Sequence, residues 1–87
     1  MKRNAPNLFR SETSFFIHLD EKSSVTITFY AENGTKIRTI LNQQELSEGR
    51  QEIRFSGNHL KQGVYQVKII IENSSGTSTE NRILQIN

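Results

Sequence analysis

Apolar and polar residues alternate along much of this chain, and the alternation predicts β-strands. In residues 24–31, Val25, Ile27 and Phe29 are separated by threonines. A two-residue period of this kind is typical of a strand that buries one face. No long segment repeats with the 3.6-residue period of a helix, and the abundant threonine, valine and isoleucine favour strands.

Six strands are predicted in this way, at residues 14–19, 24–31, 36–41, 51–55, 63–72 and 78–86. The run at 63–72 is the longest, and Tyr65 and Val67 share its apolar face. Residues 42–50 are mostly polar and read as a connector anchored by Leu46. The predicted architecture is therefore all-β, with short strands joined by polar segments.

The segments between the strands carry turn residues. Asn33-Gly34 lies between two alternating runs, and this dipeptide indicates a hairpin with a type I′ turn, which needs positive φ at both central residues. A second hairpin loop is expected at residues 73–77, and a turn at 56–59, after which Leu60 would close one end of the core. Six or seven short strands spaced by roughly 8–12 residues predict an antiparallel β-sandwich.

Length and composition restrict the possibilities further. The chain has 87 residues, enough for one small domain; residues 1–10 are expected to form a flexible linker and residues 11–87 the sandwich. The net charge of +2, from 11 basic and 9 acidic residues, is too balanced to indicate nucleic-acid binding. The chain has no cysteine, hence no disulfide and no thiolate metal site. No apolar run is long enough to span a membrane.

The residues that could support chemistry are few and scattered. His18 and Asp20 lie two positions apart, but a nucleophile elbow of the Gly-x-Ser-x-Gly type is absent. His59 lies in a predicted turn, and Glu45 and Glu48 lie in a polar connector without an evident cleft. We therefore predict no catalytic residue, no metal site and no small-molecule cofactor.

A series of short motifs suggests a family. In chain order these are Pro6-Asn7-Leu8-Phe9, Val25-Thr26-Ile27-Thr28-Phe29-Tyr30, Asn33-Gly34, Gly63-Val64-Tyr65 and Arg82-Ile83-Leu84-Gln85-Ile86. Over nearly its whole length the chain resembles the C-terminal sorting domain of type IX secretion cargo from the Bacteroidetes lineage. It is also similar to the immunoglobulin-like domain of the flagellar hook-capping protein. The resemblance implies an immunoglobulin-like antiparallel β-sandwich.

The resemblance also implies a function without catalysis. The domain would form the C-terminus of a larger exported protein, cross the periplasm, be recognised by an outer-membrane protein of the type IX machinery, and end in the medium or on the cell surface. The residues expected to carry recognition are Gly63, Tyr65, Lys68, Arg82, Ile83, Leu84 and Ile86. A homodimer is also considered.

Two other functions remain open at this point: an adhesive or carbohydrate-binding module, and a structural spacer in a surface protein. Carbohydrate binding usually needs exposed aromatic side chains beside polar groups, yet the chain has no tryptophan and only 8% aromatic residues. Phe16, Tyr30 and Ile40 could lie outside the main apolar faces and form a contact patch, or could be covered by a sheet or strand edge. Tyr65 can bury its ring while its hydroxyl bonds to the backbone, as in a tyrosine corner.

Overall fold

The computed structural model describes residues 12–56 and 60–86 of the 87-residue chain. It contains six strands: β1 (Glu12–Leu19), β2 (Ser23–Ala31), β3 (Lys36–Leu46), β4 (Gly49–Ser56), β5 (Gly63–Asn73) and β6 (Gly76–Ile86). No helix occurs within these two ranges. Each of the six predicted runs lies inside one of the strands, which confirms the all-β prediction.

The strands form two antiparallel sheets. One sheet consists of β1 and β4; the other has the order β3-β2-β5-β6. The apolar faces of both sheets contribute to a single buried cluster, which confirms the β-sandwich. The immunoglobulin-like assignment stays a prediction. The division into a linker at 1–10 and a domain at 11–87 also stays a prediction, because residues 1–11 lie outside the described part of the chain.

The core lies between the sheets and follows the alternation read from the sequence. Val25, Ile27 and Phe29 of β2 are completely buried, because β2 lies inside the larger sheet and directly faces the smaller one. The ring of Phe29 meets that of Phe55 edge to face, with centroids 4.4 Å apart, a favourable aromatic geometry. Leu60 packs against the same cluster, as predicted.

β3 is longer and less regular than predicted. The segment 42–50 is not a connector: β3 continues to Leu46 and β4 begins at Gly49. The register between β2 and β3 shifts three times, and Gln43 has a positive φ of 52°. The Gln43 N–H donates to Oγ1 of Thr26 at 3.0 Å. These β-bulges break the two-residue period, which explains why the polar half of β3 gave no strand signal.

Two hairpin turns show the effect of glycine. The hairpin at Asn33-Gly34 is confirmed. The predicted type I′ turn is wrong, since that type needs a positive φ at both residues and only Gly34 has one. The Gly34 N–H donates to the Ala31 carbonyl, and the Ala31 N–H to the Thr35 carbonyl. This is the pattern of a three-residue loop that ends in a glycine bulge. The β5–β6 loop is also shorter than predicted, since β6 begins at Gly76.

The predicted turn at 56–59 falls largely on residues 57–59, which lie outside the described residues.

Candidate recognition surface

All seven residues predicted to carry recognition lie on the hairpin of β5 and β6. The two strands pair over eleven consecutive positions, from Gly63 opposite Ile86 to Asn73 opposite Gly76. The hairpin therefore brings the predicted residues together in one element. Their side chains nevertheless face different environments, because neighbouring positions on a strand point to opposite sides.

Three of the seven face the core. Tyr65 and Ile86 are buried, and Leu84 is half-buried against the same cluster. The Tyr65 hydroxyl donates to the carbonyl of Lys61 at 2.6 Å, so the buried ring keeps its polar end paired. This confirms the tyrosine-corner expectation. A partner that contacts the folded domain cannot reach Tyr65 or Ile86 without unfolding this part of the core.

Gly63 is the first residue of β5, and its backbone conformation is what favours glycine at this position. Its φ of 149° is one that residues with a side chain rarely adopt. A Cβ built at this position meets nothing within 4 Å. The backbone angle, and not a lack of space, therefore favours glycine where the chain turns from Lys61 into β5.

Arg82 connects the two sheets. Its Nε lies 2.6 Å from Oε2 of Glu80 on the same strand. Its terminal nitrogen donates to the Phe16 carbonyl of β1 at 2.5 Å, and the guanidinium lies 5.7 Å from the centroid of the Phe15 ring. Because these bonds join β6 to β1, the Arg82 side chain holds one side of the sandwich together.

Lys68 and Ile83 lie on the outer face of the larger sheet. Ile83 is 70% exposed, the highest value among the large apolar side chains in the described residues. It lies opposite Gln66, with Lys68 two positions further along β5. Val64 is also exposed on this face, and half-buried Tyr30 lies opposite Gln66 on β2. We call Val64, Gln66, Lys68 and Ile83 the outer patch.

Two further positions were not singled out by the sequence. Val64 was not identified because it lies next to the more characteristic Tyr65, although its alternation with Gln66 could have placed it outside. Arg38 of β3 donates to the Ser56 carbonyl at the end of β4, and so connects the sheets on the side opposite Arg82. Its inward position depends on the bulges of β3, for which the sequence carries no clear signal.

A polar contact fastens the tip of the β5–β6 hairpin to the β1–β2 turn. The hydroxyls of Ser74 and Ser75 donate to the two carboxylate oxygens of Glu21 at 2.6 and 2.9 Å. These bonds, that from Ser74 first, lower the pKa of Glu21. Asn73 donates to the buried Ser23 hydroxyl at 2.9 Å. Beside this contact lies a shallow polar cavity of about 210 Å³.

The groups considered for chemistry do not assemble into a site. His18 and Asp20 approach to 3.6 Å at an exposed position, and Glu45 faces Lys22 at 3.5 Å. In residues 12–56 and 60–86, no group of three or more His, Cys, Asp or Glu could hold a metal ion. Within the same ranges, no helix is long and apolar enough to cross a bilayer.

Phe16, Tyr30 and Ile40, for which the sequence left a contact patch and a covered position open, are partly covered. Phe16 is 43% exposed on the outer face of the β1–β4 sheet, but the guanidinium of Arg50 lies over its ring, 4.0 Å from the centroid. Nearby, hydrogen bonds from Ser14 and then Arg54 lower the pKa of Glu52. Tyr30 and Ile40 are half-buried. The Arg50 guanidinium therefore occupies one face of the Phe16 ring.

Comparison with known proteins gives one match. The model of the secretion system C-terminal sorting domain matches residues 11–85. No curated protein and no solved structure matches the chain significantly. The match covers every strand of the sandwich, including the whole of β5 and β6 apart from Ile86.

Proposed function

Because the chain belongs to the family of secretion system C-terminal sorting domains, we propose that its β5–β6 hairpin is recognised by an outer-membrane protein of the type IX machinery. Membership itself gives the broader function: the domain is a C-terminal sorting signal that the type IX secretion system recognises. It belongs to a secreted or cell-surface protein that passes through the envelope. Sorting domains of this kind are non-catalytic in general, and the family match gives no support to a carbohydrate-binding module or a spacer.

The exposure of Ile83 is the observation that carries the proposal. A large aliphatic side chain that is 70% exposed on an ordered strand gains more from a partner than any polar neighbour does. Exposed Val64 lies on the same face, and Lys68 adds a cation that forms no ion pair with the described residues. An apolar centre with a charged edge is the usual composition of a protein contact.

The seven predicted residues then have two kinds of role. Lys68 and Ile83 contact the partner directly through the outer patch. Gly63, Tyr65, Arg82, Leu84 and Ile86 act through the fold, because they set the start of β5, fill the core or join the sheets. Changes in the second group should reduce sorting only as far as they reduce folding.

The finer steps of export are part of the same proposal. The domain would fold and be recognised in the periplasm, with residues 1–10 serving as a linker to the cargo and residues 11–87 as the sorting domain. It would work without enzymatic activity, nucleic acid or small-molecule cofactor. A homodimer is also proposed.

A matched pair of isoleucine variants tests recognition by the outer patch. A fluorescent reporter carrying this domain is expressed in a host with a type IX system, and the medium, cell surface and periplasm are assayed. Ile83→Glu should leave the reporter in the periplasm. Ile37→Glu introduces the same change at an exposed isoleucine on β3, and it should leave export unchanged.

Folding must be measured for both variants, because an unfolded domain would also fail to be exported. Equal urea midpoints together with normal export of Ile83→Glu would contradict recognition by the outer patch. Lys68→Glu supplies a second test on the same face. Deletion of residues 82–87 is less informative, since it removes Leu84 and Ile86 from the core cluster and would unfold a spacer and a sorting signal alike.

A further inference from the structure

The outer edge of β6 is a regular strand edge that lacks three features that usually prevent strand pairing, namely bulges, prolines and lysines. β6 is the last strand of its sheet and pairs with β5 over eleven positions without a register shift. It contains no proline and no lysine. Natural edge strands are commonly interrupted by bulges, prolines or lysines, which discourage pairing with another strand. In the described part of the chain, this edge therefore offers backbone donors and acceptors to a further strand.

We infer that this edge pairs with the β6 strand of a second copy of the same chain. Two copies related by a two-fold axis would join antiparallel, and their two four-stranded sheets would become one sheet of eight. When Asn81 lies on the axis, Gly76 of one copy lies opposite Ile86 of the other. All eleven residues of the strand are then paired, the largest overlap that any register allows.

Charge selects the same register. Glu80 and Arg82 are the only charged residues of β6, and they lie on the same face because they are two positions apart. With Asn81 on the axis, Glu80 of each copy lies opposite Arg82 of the other. The Glu80–Arg82 ion pair within each copy would thus become part of a network of four alternating charges.

The neighbouring registers are disfavoured by both overlap and charge. Opposite residues must lie on the same face of a continuous sheet, so the axis can move to Glu80 or to Arg82. Either move shortens the paired region and places two like charges directly opposite each other, which is destabilising. Full overlap and charge complementarity therefore agree on one register, and this agreement identifies a second copy as the partner.

The inference does not depend on the sorting function, and it concerns a weak complex. Pairing along one edge buries less surface than the extended interfaces of permanent dimers. The chain should therefore be mainly monomeric in dilute solution, and the dimer fraction should rise as the protein concentration is increased to about 1 mM. Sedimentation of the unmodified chain measures this rise, and a monomer throughout that range would overturn the inference.

Cysteine cross-linking tests the register, because the chain has no cysteine of its own. In the inferred dimer, residues opposite each other have Cβ atoms about 4.5–5.5 Å apart, close to disulfide distance. Asn81→Cys should form a covalent dimer under mild oxidation. In Thr77→Cys the two thiols would lie eight positions apart, about 26 Å at the usual rise per residue.

Asn81→Cys should thus cross-link at least about tenfold faster than Thr77→Cys, because dimerisation raises the effective concentration of only the first thiol. Equal rates would mean random collision and would overturn the register. A charge variant gives an independent measurement: Asn81→Lys places two lysines opposite each other, whereas Thr77→Lys places lysine opposite Gln85. The first should lower the dimer fraction more than the second, and equal fractions would contradict the inference.

Discussion

β3 and β6 are the two edge strands of the larger sheet, and each is eleven residues long. β3 is shifted three times against β2 and contains a positive φ at Gln43, while β6 pairs with β5 without interruption. Bulges twist an edge and remove its regular hydrogen-bonding pattern. In the described part of the chain, the β3 edge is therefore less suited to pairing with a further strand than the β6 edge, so association of the domain should involve the β6 side.

The two edges are alike in how they are held to the smaller sheet. Arg38 on β3 reaches the Ser56 carbonyl, and Arg82 on β6 reaches the Phe16 carbonyl. The smaller sheet has two strands and the larger has four, so the outer strands of the larger sheet extend beyond their cover. At each of these outer strands, a long arginine side chain forms a polar bridge where the described residues provide no further apolar layer.

The largest effect should come from the buried end of β6. Ile86→Ala removes a buried side chain from the core and should lower the free energy of unfolding by about 2–4 kcal/mol. Leu41→Ala is the counterpart on β3; because Leu41 is only half-buried, its cost should be smaller. Urea unfolding measures both, and a greater loss for Leu41→Ala would contradict the larger contribution expected from the buried Ile86.

The next effect should come from the arginine bridge. Arg82→Met keeps much of the side-chain length but removes the bond to the Phe16 carbonyl, and it should cost about 1–2 kcal/mol. Arg54→Met is the control, since among the described residues Arg54 forms an ion pair only with Glu52, on an exposed face, where ion pairs contribute about 0–1 kcal/mol. Equal losses in the two variants would show that the bridge between the sheets has no special role.

A smaller effect should come from the bulge in β3. Thr26→Val removes the oxygen that accepts the Gln43 N–H while keeping the shape of the side chain. The loss should be about 0.5–1 kcal/mol, with faster amide exchange at Gln43. Thr39→Val, at an exposed position of β3, is the matched control, and unchanged exchange at Gln43 in Thr26→Val would show that the bulge does not need this bond.

The smallest effect should be seen at the tip of the β5–β6 hairpin and should depend on pH. The pKa of Glu21 is lowered in the folded state by the bonds from Ser74 and Ser75. The Glu21 carboxylate therefore stabilises the fold above its unfolded pKa of about 4.3, and this contribution is lost as the pH falls through the lower folded pKa.

Thermal unfolding of Glu21→Gln should thus begin at a lower temperature than that of the unmodified chain at neutral pH. The difference between them should close in acid. Ser74→Ala removes the largest cause of the lowered pKa and should show the same direction of change with pH. A difference that stays constant from neutral pH into acid would mean that Glu21 contributes through packing instead of through its charge.

The sequence predicted some parts of the molecule more accurately than others. The alternation in β2 and β5 located both central strands almost to the residue, because each buries one face against the smaller sheet. The second half of β3 was missed, since an edge strand with bulges has neither the period nor the burial that reveals a strand. The seven residues predicted to carry recognition all lie on the β5–β6 hairpin, but the sequence did not separate them into core, bridge and outer patch.

The sequence by itself determined the all-β class, the six strands and the family, because alternation and turn glycines are local properties that each segment carries alone. The tertiary structure decided which strands became edges and which side chains stayed accessible. Arg82 and Ile83 are adjacent in the chain, yet one reaches across to β1 and the other faces outward. That difference depends on where the second sheet lies, and contacts between residues distant along the chain determine the position of that sheet.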